Sequence, residues 1–345
     1  MKKIYLVIED ITNFGGTERV TSILCNELTD SGYNVFLCTL KSQGNKLNFS
    51  ISPSVTILNF SHKNRYIAIT SILFKAKKSK SPVITISMGR LSAETALLSL
   101  CFPSSKMILS EHSSFESFSE IKKIIKRISY YIANKVIVLT EHDKYIIAKD
   151  NHKFSAISNI NPYYKSDIKI TPFIDRENIA IAVGRFGYQK NFERLISIWK
   201  RAKIKNWKLI IIGSECFNLS PYIDDNDNII ISPPTKDIDH YYNNAKLMLM
   251  TSRYEGLPMV LIEAQHFGIP TISFDCKTGP KEIIHEDKNG YVINYSDDDG
   301  FLSKLKKLTS NDSLLYEMHI NAIKNASNYS SKKIIKKWLD VIESI

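Results

Sequence analysis

The chain has 345 residues, 43% of them hydrophobic and 23% charged. That is enough for two ordinary globular domains, and the composition excludes a disordered, collagen-like or coiled-coil chain. The net charge of +11 is uneven, because residues 1–170 carry 23 Lys and Arg against 13 Asp and Glu, whereas residues 171–345 carry 23 against 22.

The chain opens with Met1-Lys2-Lys3 and the apolar run Ile4–Ile8, closed by Glu9 and Asp10. The run is too short for a signal-peptide core and reads as a buried first strand. Further strand candidates are Asn34–Leu40, Val55–Asn59, Val83–Ser87, Met107–Ser110 and Lys135–Leu139, then Ile179–Val183, Lys208–Ile212, Asn228–Ser232, Leu247–Met250 and Pro270–Phe274. They are apolar without strict alternation, as parallel strands covered on both faces should be. Amphipathic helical patterns lie between them, among them Thr17–Ser31, Phe192–Lys203 and Met259–Phe267. Such alternation predicts an α/β chain of two doubly wound units. Turn signals at Asn161-Pro162 and Thr171-Pro172 put the join within residues 160–178. The expected domains are therefore 1–170 and 171–330, followed by a closing helix over 331–345 that contains Trp338. No run approaches the roughly 18 apolar residues of a membrane span. The five cysteines form no C-x-x-C pair, and Cys25, Cys38 and Cys101 read as small core residues. A reducing, cytoplasmic setting is expected.

Four strand ends carry chemistry. After the first strand, Phe14-Gly15-Gly16-Thr17-Glu18-Arg19 lets backbone approach a ligand, although it is not a G-x-G-x-x-G dinucleotide motif. After Met107–Ser110 comes Glu111-His112, and a histidine at the carboxyl end of a strand can face a cleft. After Ile179–Val183, Gly184 is followed by Arg185 and Lys190, two cations able to hold a diphosphate. After Leu247–Met250 runs Thr251-Ser252-Arg253-Tyr254-Glu255-Gly256-Leu257-Pro258, then a helix containing Glu263. Gly256 permits a tight turn, Pro258 suits a first helical turn, and the helix start is an anion site beside carboxylates that can accept from sugar hydroxyls. Each feature alone has an ordinary structural explanation.

Together these strings resemble glycosyltransferase family 4, whose motif is Glu, seven residues, Glu, usually with Gly-Leu/Phe-Pro after the first. Glu255, Gly256-Leu257-Pro258 and Glu263 match it. The resemblance implies the GT-B fold, two Rossmann-like domains facing across a cleft, and sugar transfer from a nucleoside diphosphate with retention. It implies that Glu255 contacts donor-sugar hydroxyls, Glu263 the ribose, Arg185 and Lys190 the diphosphate, and His112 the region of the reacting carbon. Gly15 and Gly16 would line the cleft opposite the phosphates. Where the family often has Gly-Gly before a Glu, this chain has Gly279-Pro280 before Glu282, so one backbone N–H is missing there. No Asp-x-Asp occurs in these loops, and neither a metal nor another cofactor is expected. Two rivals stand beside transfer: a nucleotide-sugar hydrolase or epimerase of the same fold, and a non-catalytic sugar-binding protein.

The basic first half has its own signal. Over residues 120–132, Ile121, Ile124, Ile125, Ile128 and Ile132 form one helical stripe, and Lys122, Lys123, Lys126 and Arg127 form another. The four cations could bind an anionic inner leaflet reversibly, or meet the pyrophosphate of a lipid-linked glycan acceptor. Equally, the helix could keep its Ile face in the core and its cations in water. Nucleic acid is not an expected partner, because charge alone supports it.

Overall fold

The computed structural model describes residues 2–345 apart from 43, 45, 150 and the side chains of Cys216 and Phe217. Met1 lies outside the described residues. The chain divides into two units, residues 2–162 with 330–345, and residues 163–329. The division falls at Pro162–Tyr163, earlier than residue 170. Tyr163 packs edge-on against Phe267 and Tyr242 of the second unit, which draws the following segment with it.

The first unit runs β1 (Lys3–Asp10), α1 (Gly16–Asp30), β2 (Asn34–Lys41), β3 (Thr56–Asn59), α2 (Arg65–Lys78), β4 (Val83–Ser87), α3 (Arg90–Ser99), β5 (Met107–Glu111), α4 (Glu120–Ile132), β6 (Lys135–Val138), α5 (Glu141–Ala148) and β7 (Phe154–Ala156). Its strands form one parallel sheet in the order β3-β2-β1-β4-β5-β6-β7. Alternate residues of β1 serve opposite layers. Ile4, Leu6 and Ile8 pack with Leu24 and Leu28 of α1, whereas Tyr5 and Val7 pack with Ala68, Ile69 and Ile72 of α2.

The second unit runs β8 (Ile179–Val183), α6 (Phe192–Ala202), β9 (Lys208–Ile212), β10 (Ile229–Ser232), α7 (Ile238–Asn244), β11 (Leu247–Met250), α8 (Met259–His266), β12 (Thr271–Phe274), α9 (Pro280–Ile283), β13 (Gly290–Ile293), α10 (Asp298–Thr309) and α11 (Asp312–Ala326). Its sheet is also parallel, in the order β10-β9-β8-β11-β12-β13. Phe192, Ile196 and Trp199 of α6 and Phe301 and Leu305 of α10 cover Ala180, Leu209, Leu249 and Phe274. Helix α12 (Ser331–Glu343) belongs to the first unit, where Ile334, Trp338 and Ile342 close the layer begun by α1.

Two strands escape the sequence reading, β7 and β13. Both are short and lie at sheet edges, where there is less apolar signal to read. Cys25 and Cys38 are buried as expected, but Cys101 is exposed beyond the end of α3. No helix among the described residues is long and apolar enough to cross a membrane.

Candidate functional site

In both units the quoted motifs follow strand carboxyl ends, where open α/β sheets bind ligands. In the second unit, the loops after β8 and β11 are bonded to each other. The Thr251 hydroxyl donates to the carbonyls of Lys190 and Asn191, each at 3.1 Å. The Arg253 N–H donates to the Gln189 carbonyl at 2.8 Å, and the Gln189 amide donates to the Tyr254 carbonyl at 3.0 Å. The Arg253 guanidinium also stacks 4.1 Å from the Tyr188 ring centroid. This zip sets Lys190 Nζ 2.7 Å from Glu255 Oε1, in a largely buried ion pair. The Thr278 hydroxyl donates to the Glu255 carbonyl at 2.6 Å, tying in the loop after β12.

Three glycines make this closeness possible. A Cβ on Gly213, after β9, would sit 1.7 Å from the Gly184 carbonyl oxygen, and one on Gly184 would sit 2.7 Å from Lys190 Cε. Gly279 has φ +93°, and a Cβ there would press on Pro258 Cδ at 2.5 Å and the Gly256 carbonyl at 2.7 Å. A side chain at any of them would push the Lys190 or Glu255 loop out of position.

Helix α8 starts at Met259 with no side-chain cap. Pro258 stands at the N-cap, one residue before the first turn in which it was expected, and its carbonyl accepts from the Leu261 N–H at 3.1 Å. Leu257 is buried beneath the turn. Glu263 is buried one turn in, where its Oε2 accepts from the Tyr242 hydroxyl at 2.8 Å. Glu282 lies on the four-residue α9, and its carbonyl accepts from the Tyr329 hydroxyl at 2.9 Å. Arg185 is exposed and has no ion-pair partner among the described residues. Glu255, Lys190, the α8 start and Thr278 thus converge, with Arg185 on the same loop as Lys190. Such a set can accept from hydroxyls and hold anionic oxygens.

Sequence reading missed the parts played by Gln189 and Thr278. Both stand next to residues singled out in the sequence, Lys190 and Gly279, but only cross-loop bonding reveals them. Cys276, beside this site, is no candidate nucleophile: burial, then the charge of Glu255, pushes its thiol up to about 12. Among the described residues no group of three His, Cys, Asp or Glu could hold a metal ion.

The first unit holds the remaining candidates. Gly15 is the N-cap of α1 and Gly16 its first residue; a Cβ on Gly15 would lie 2.6 Å from Glu18 Oε2. Burial, then the charge of nearby Asp10, raises the Glu18 carboxyl above its ordinary value. His112 directly follows β5 and is buried, its Nε2 3.1 Å from Ser110 Oγ, with Val20, Leu24 and Trp338 lining the same small cavity. Burial lowers its pKa to about 4, so the imidazole is neutral at neutral pH.

The basic stripe needs correction. Lys122 and Arg127 are exposed and Lys123 is partly so, bridged to Glu120 at 2.8 Å, but Lys126 is buried. Its ammonium lies 2.7 Å from Glu111 Oε2 and 2.5 Å from Ser92 Oγ. Burial pulls the ammonium below its ordinary value, against the pull of Glu111. Lys126 is therefore an internal strut and no part of a membrane- or acceptor-facing surface.

The sequence profile of glycosyl transferases group 1 matches residues 164–328, the segment that holds the zipped loops. The amylovoran biosynthesis glycosyltransferase AmsD of Erwinia amylovora is 37% identical over 99% of this chain and 100% of its own length. The GalNAc-alpha-(1->4)-GalNAc-alpha-(1->3)-diNAcBac-PP-undecaprenol alpha-1,4-N-acetyl-D-galactosaminyltransferase of Campylobacter jejuni is 25% identical, over 100% of this chain and 99% of its own length. Among solved structures, a TarM variant of S. aureus in complex with alpha-GlcNAc-glycerol and UDP superposes with a TM-score of 0.81 at 18% identity, covering 99% and 100% of the two chains. That likeness bears on the fold, and the expected pair of Rossmann-like domains of the GT-B class is present. With a full-length relative at this identity and a profile match across the second unit, the chain belongs to the group 1 glycosyltransferases.

Proposed function

We propose that the protein is a retaining, family 4 glycosyltransferase that moves a sugar from a UDP-sugar, a hexose or N-acetylhexosamine, to a hydroxyl of a polyprenyl-diphosphate-linked glycan in bacterial surface polysaccharide synthesis. It would act without a metal or other cofactor, in the cytoplasm and against the inner face of the membrane. The observation that carries the reading is the Lys190–Glu255 pair at 2.7 Å, fixed by the zipped loops beside the start of α8. A carboxylate for sugar hydroxyls and a cation for phosphate stand a single hydrogen bond apart, which suits a ligand that joins a sugar to a diphosphate. The undecaprenol-linked substrate in the C. jejuni relative's name and the UDP held by TarM support the acceptor and nucleotide.

In this mechanism the donor's anomeric C–O bond breaks through an oxocarbenium-like transition state. The acceptor oxygen bonds to the same face of that carbon, and its proton passes to the departing diphosphate. Arg185 and Lys190 hold the charge that grows on the leaving group, an effect worth about 3 kcal/mol per well-placed donor. Glu255 orients the sugar hydroxyls, Glu263 accepts from the ribose, and the Gly15-Gly16 turn contacts phosphate. Neutral His112 can exchange hydrogen bonds with the sugar but cannot act as a cation at neutral pH.

The test is transfer of labelled sugar by Glu255→Ala. Transfer should fall by about a hundredfold or more while the unfolding midpoint stays put. Near-normal transfer would reject the assignment of Glu255. Undiminished turnover in EDTA and an α-linked product from an α-linked donor are the matching expectations for metal independence and retention.

A further inference from the structure

Helix α4 is turned inside out relative to its pattern. Its packed side carries Lys126, Ser129 and Tyr130, followed by buried Ala133. Its outer side carries Ile121, Ile124, Ile128 and Tyr131, which are 73%, 60%, 50% and 87% exposed. These four recur at helical spacing and form one stripe about 15 Å long. The buried Lys126–Glu111 bond, with Tyr130 packed against Phe115 and Phe154, fixes this orientation.

The stripe is not isolated. The neighbouring helices α3 and α2 lie in the same layer and add exposed Leu97, Ile67 and Phe74. Contiguous apolar surface of this extent marks an interaction site in a folded protein. Its charge says with what. Lys122, Arg127 and, at the end of α2, Lys75, Lys77 and Lys78 are exposed around it, whereas Glu120 is the sole acid of α4 and is bridged to Lys123. A second copy of this chain would set those cations against one another, but an anionic bilayer surface complements both the apolar stripe and its rim.

We infer that α4 lies in the interface of an anionic phospholipid bilayer, with Ile121, Ile124, Ile128 and Tyr131 among the acyl chains and Lys122, Lys123 and Arg127 at the phosphates. This deepens the reading of a lipid-linked acceptor and replaces a purely electrostatic contact by partial insertion. The full chain is sedimented with vesicles of phosphatidylcholine and phosphatidylglycerol at low and high salt. The vesicles contain no acceptor and no donor, so the outcome is independent of the transfer assay. The wild type should bind, weaken with salt and keep a salt-resistant fraction, whereas a Lys122→Gln, Lys123→Gln, Arg127→Gln variant should bind more weakly and depend less on salt. Ile121→Gln, Ile124→Gln, Ile128→Gln together should weaken binding by about tenfold or more, because each lost side chain forfeits buried apolar area. Tyr131→Trp should give fluorescence that shifts to the blue on binding and is quenched by brominated lipid.

Three results would overturn the inference: binding by the triple Ile variant equal to wild type, complete release of the wild type by salt, or light scattering that shows a wild-type dimer and a monomeric triple variant. If the triple variant does not fold, unshifted and unquenched emission from Tyr131→Trp decides against insertion.

Discussion

Helices α4 and α12 contain nearly the same string. Lys122-Lys123-Ile124-Ile125-Lys126-Arg127 in α4 corresponds to Lys332-Lys333-Ile334-Ile335-Lys336-Lys337 in α12. In α12, Ile334 and Ile335 are buried in the core, and Lys336 and Lys337 are exposed. In α4 Ile124 and Ile125 face outward and Lys126 is buried. The pattern makes each helix amphipathic, but the surface it meets chooses the side. The end of β5 makes that choice visible. Glu111 binds Lys126 of α4 in one layer, while the next residue, His112, shares a cavity with Trp338 of α12 in the other.

The largest effect should come from breaking the internal strut. Lys126→Ala leaves Glu111 as an uncompensated buried charge and should cost about 3–5 kcal/mol in chemical denaturation, whereas Lys336→Ala should stay within about 0.5 kcal/mol. Equal costs would erase the contrast between the helices. Next in size is the isoleucine pair. Ile334→Ala should cost about 2–5 kcal/mol by the cavity it leaves, and Ile124→Ala should cost within about 0.5 kcal/mol.

The pH response is smaller and sharpens the role of β5. The folded His112 pKa of about 4 lies below the ordinary value of 6.5, so the folded protein disfavours its protonation. That contribution, about 3 kcal/mol at most, is fully present above pH 6.5 and is lost as the pH falls toward 4. His112→Gln should flatten the stability profile across this window, as measured by denaturant titration at several pH values. An unchanged profile would remove His112 from the packing between β5 and α12.

Most of the fold was legible because parallel strands buried on both faces write themselves as apolar runs. Those from Ile4 to Phe274 fall within a residue or two of the observed strands. The edge strands β7 and β13 were not legible, since three or four residues carry too little pattern. Of the candidate site, Glu255, Lys190 and Glu263 could be picked from glycine-bearing strings at strand ends. Their partners Gln189, Thr278 and Tyr242 could not, because those bonds join residues 21 to 66 positions apart.

By itself the sequence determined the alternation of strand and helix, the strand ends that carry chemistry and the amphipathic character of α4 and α12. Periodicity and local turn chemistry act over a few residues and survive in any context. Only the tertiary structure decided that Lys190 meets Glu255, that Lys126 turns inward, and that Ile121, Ile124 and Ile128 face outward. Each of those outcomes depends on a buried partner supplied from elsewhere in the chain, and the free energy of satisfying a buried charge outweighs the preference of a single helix face.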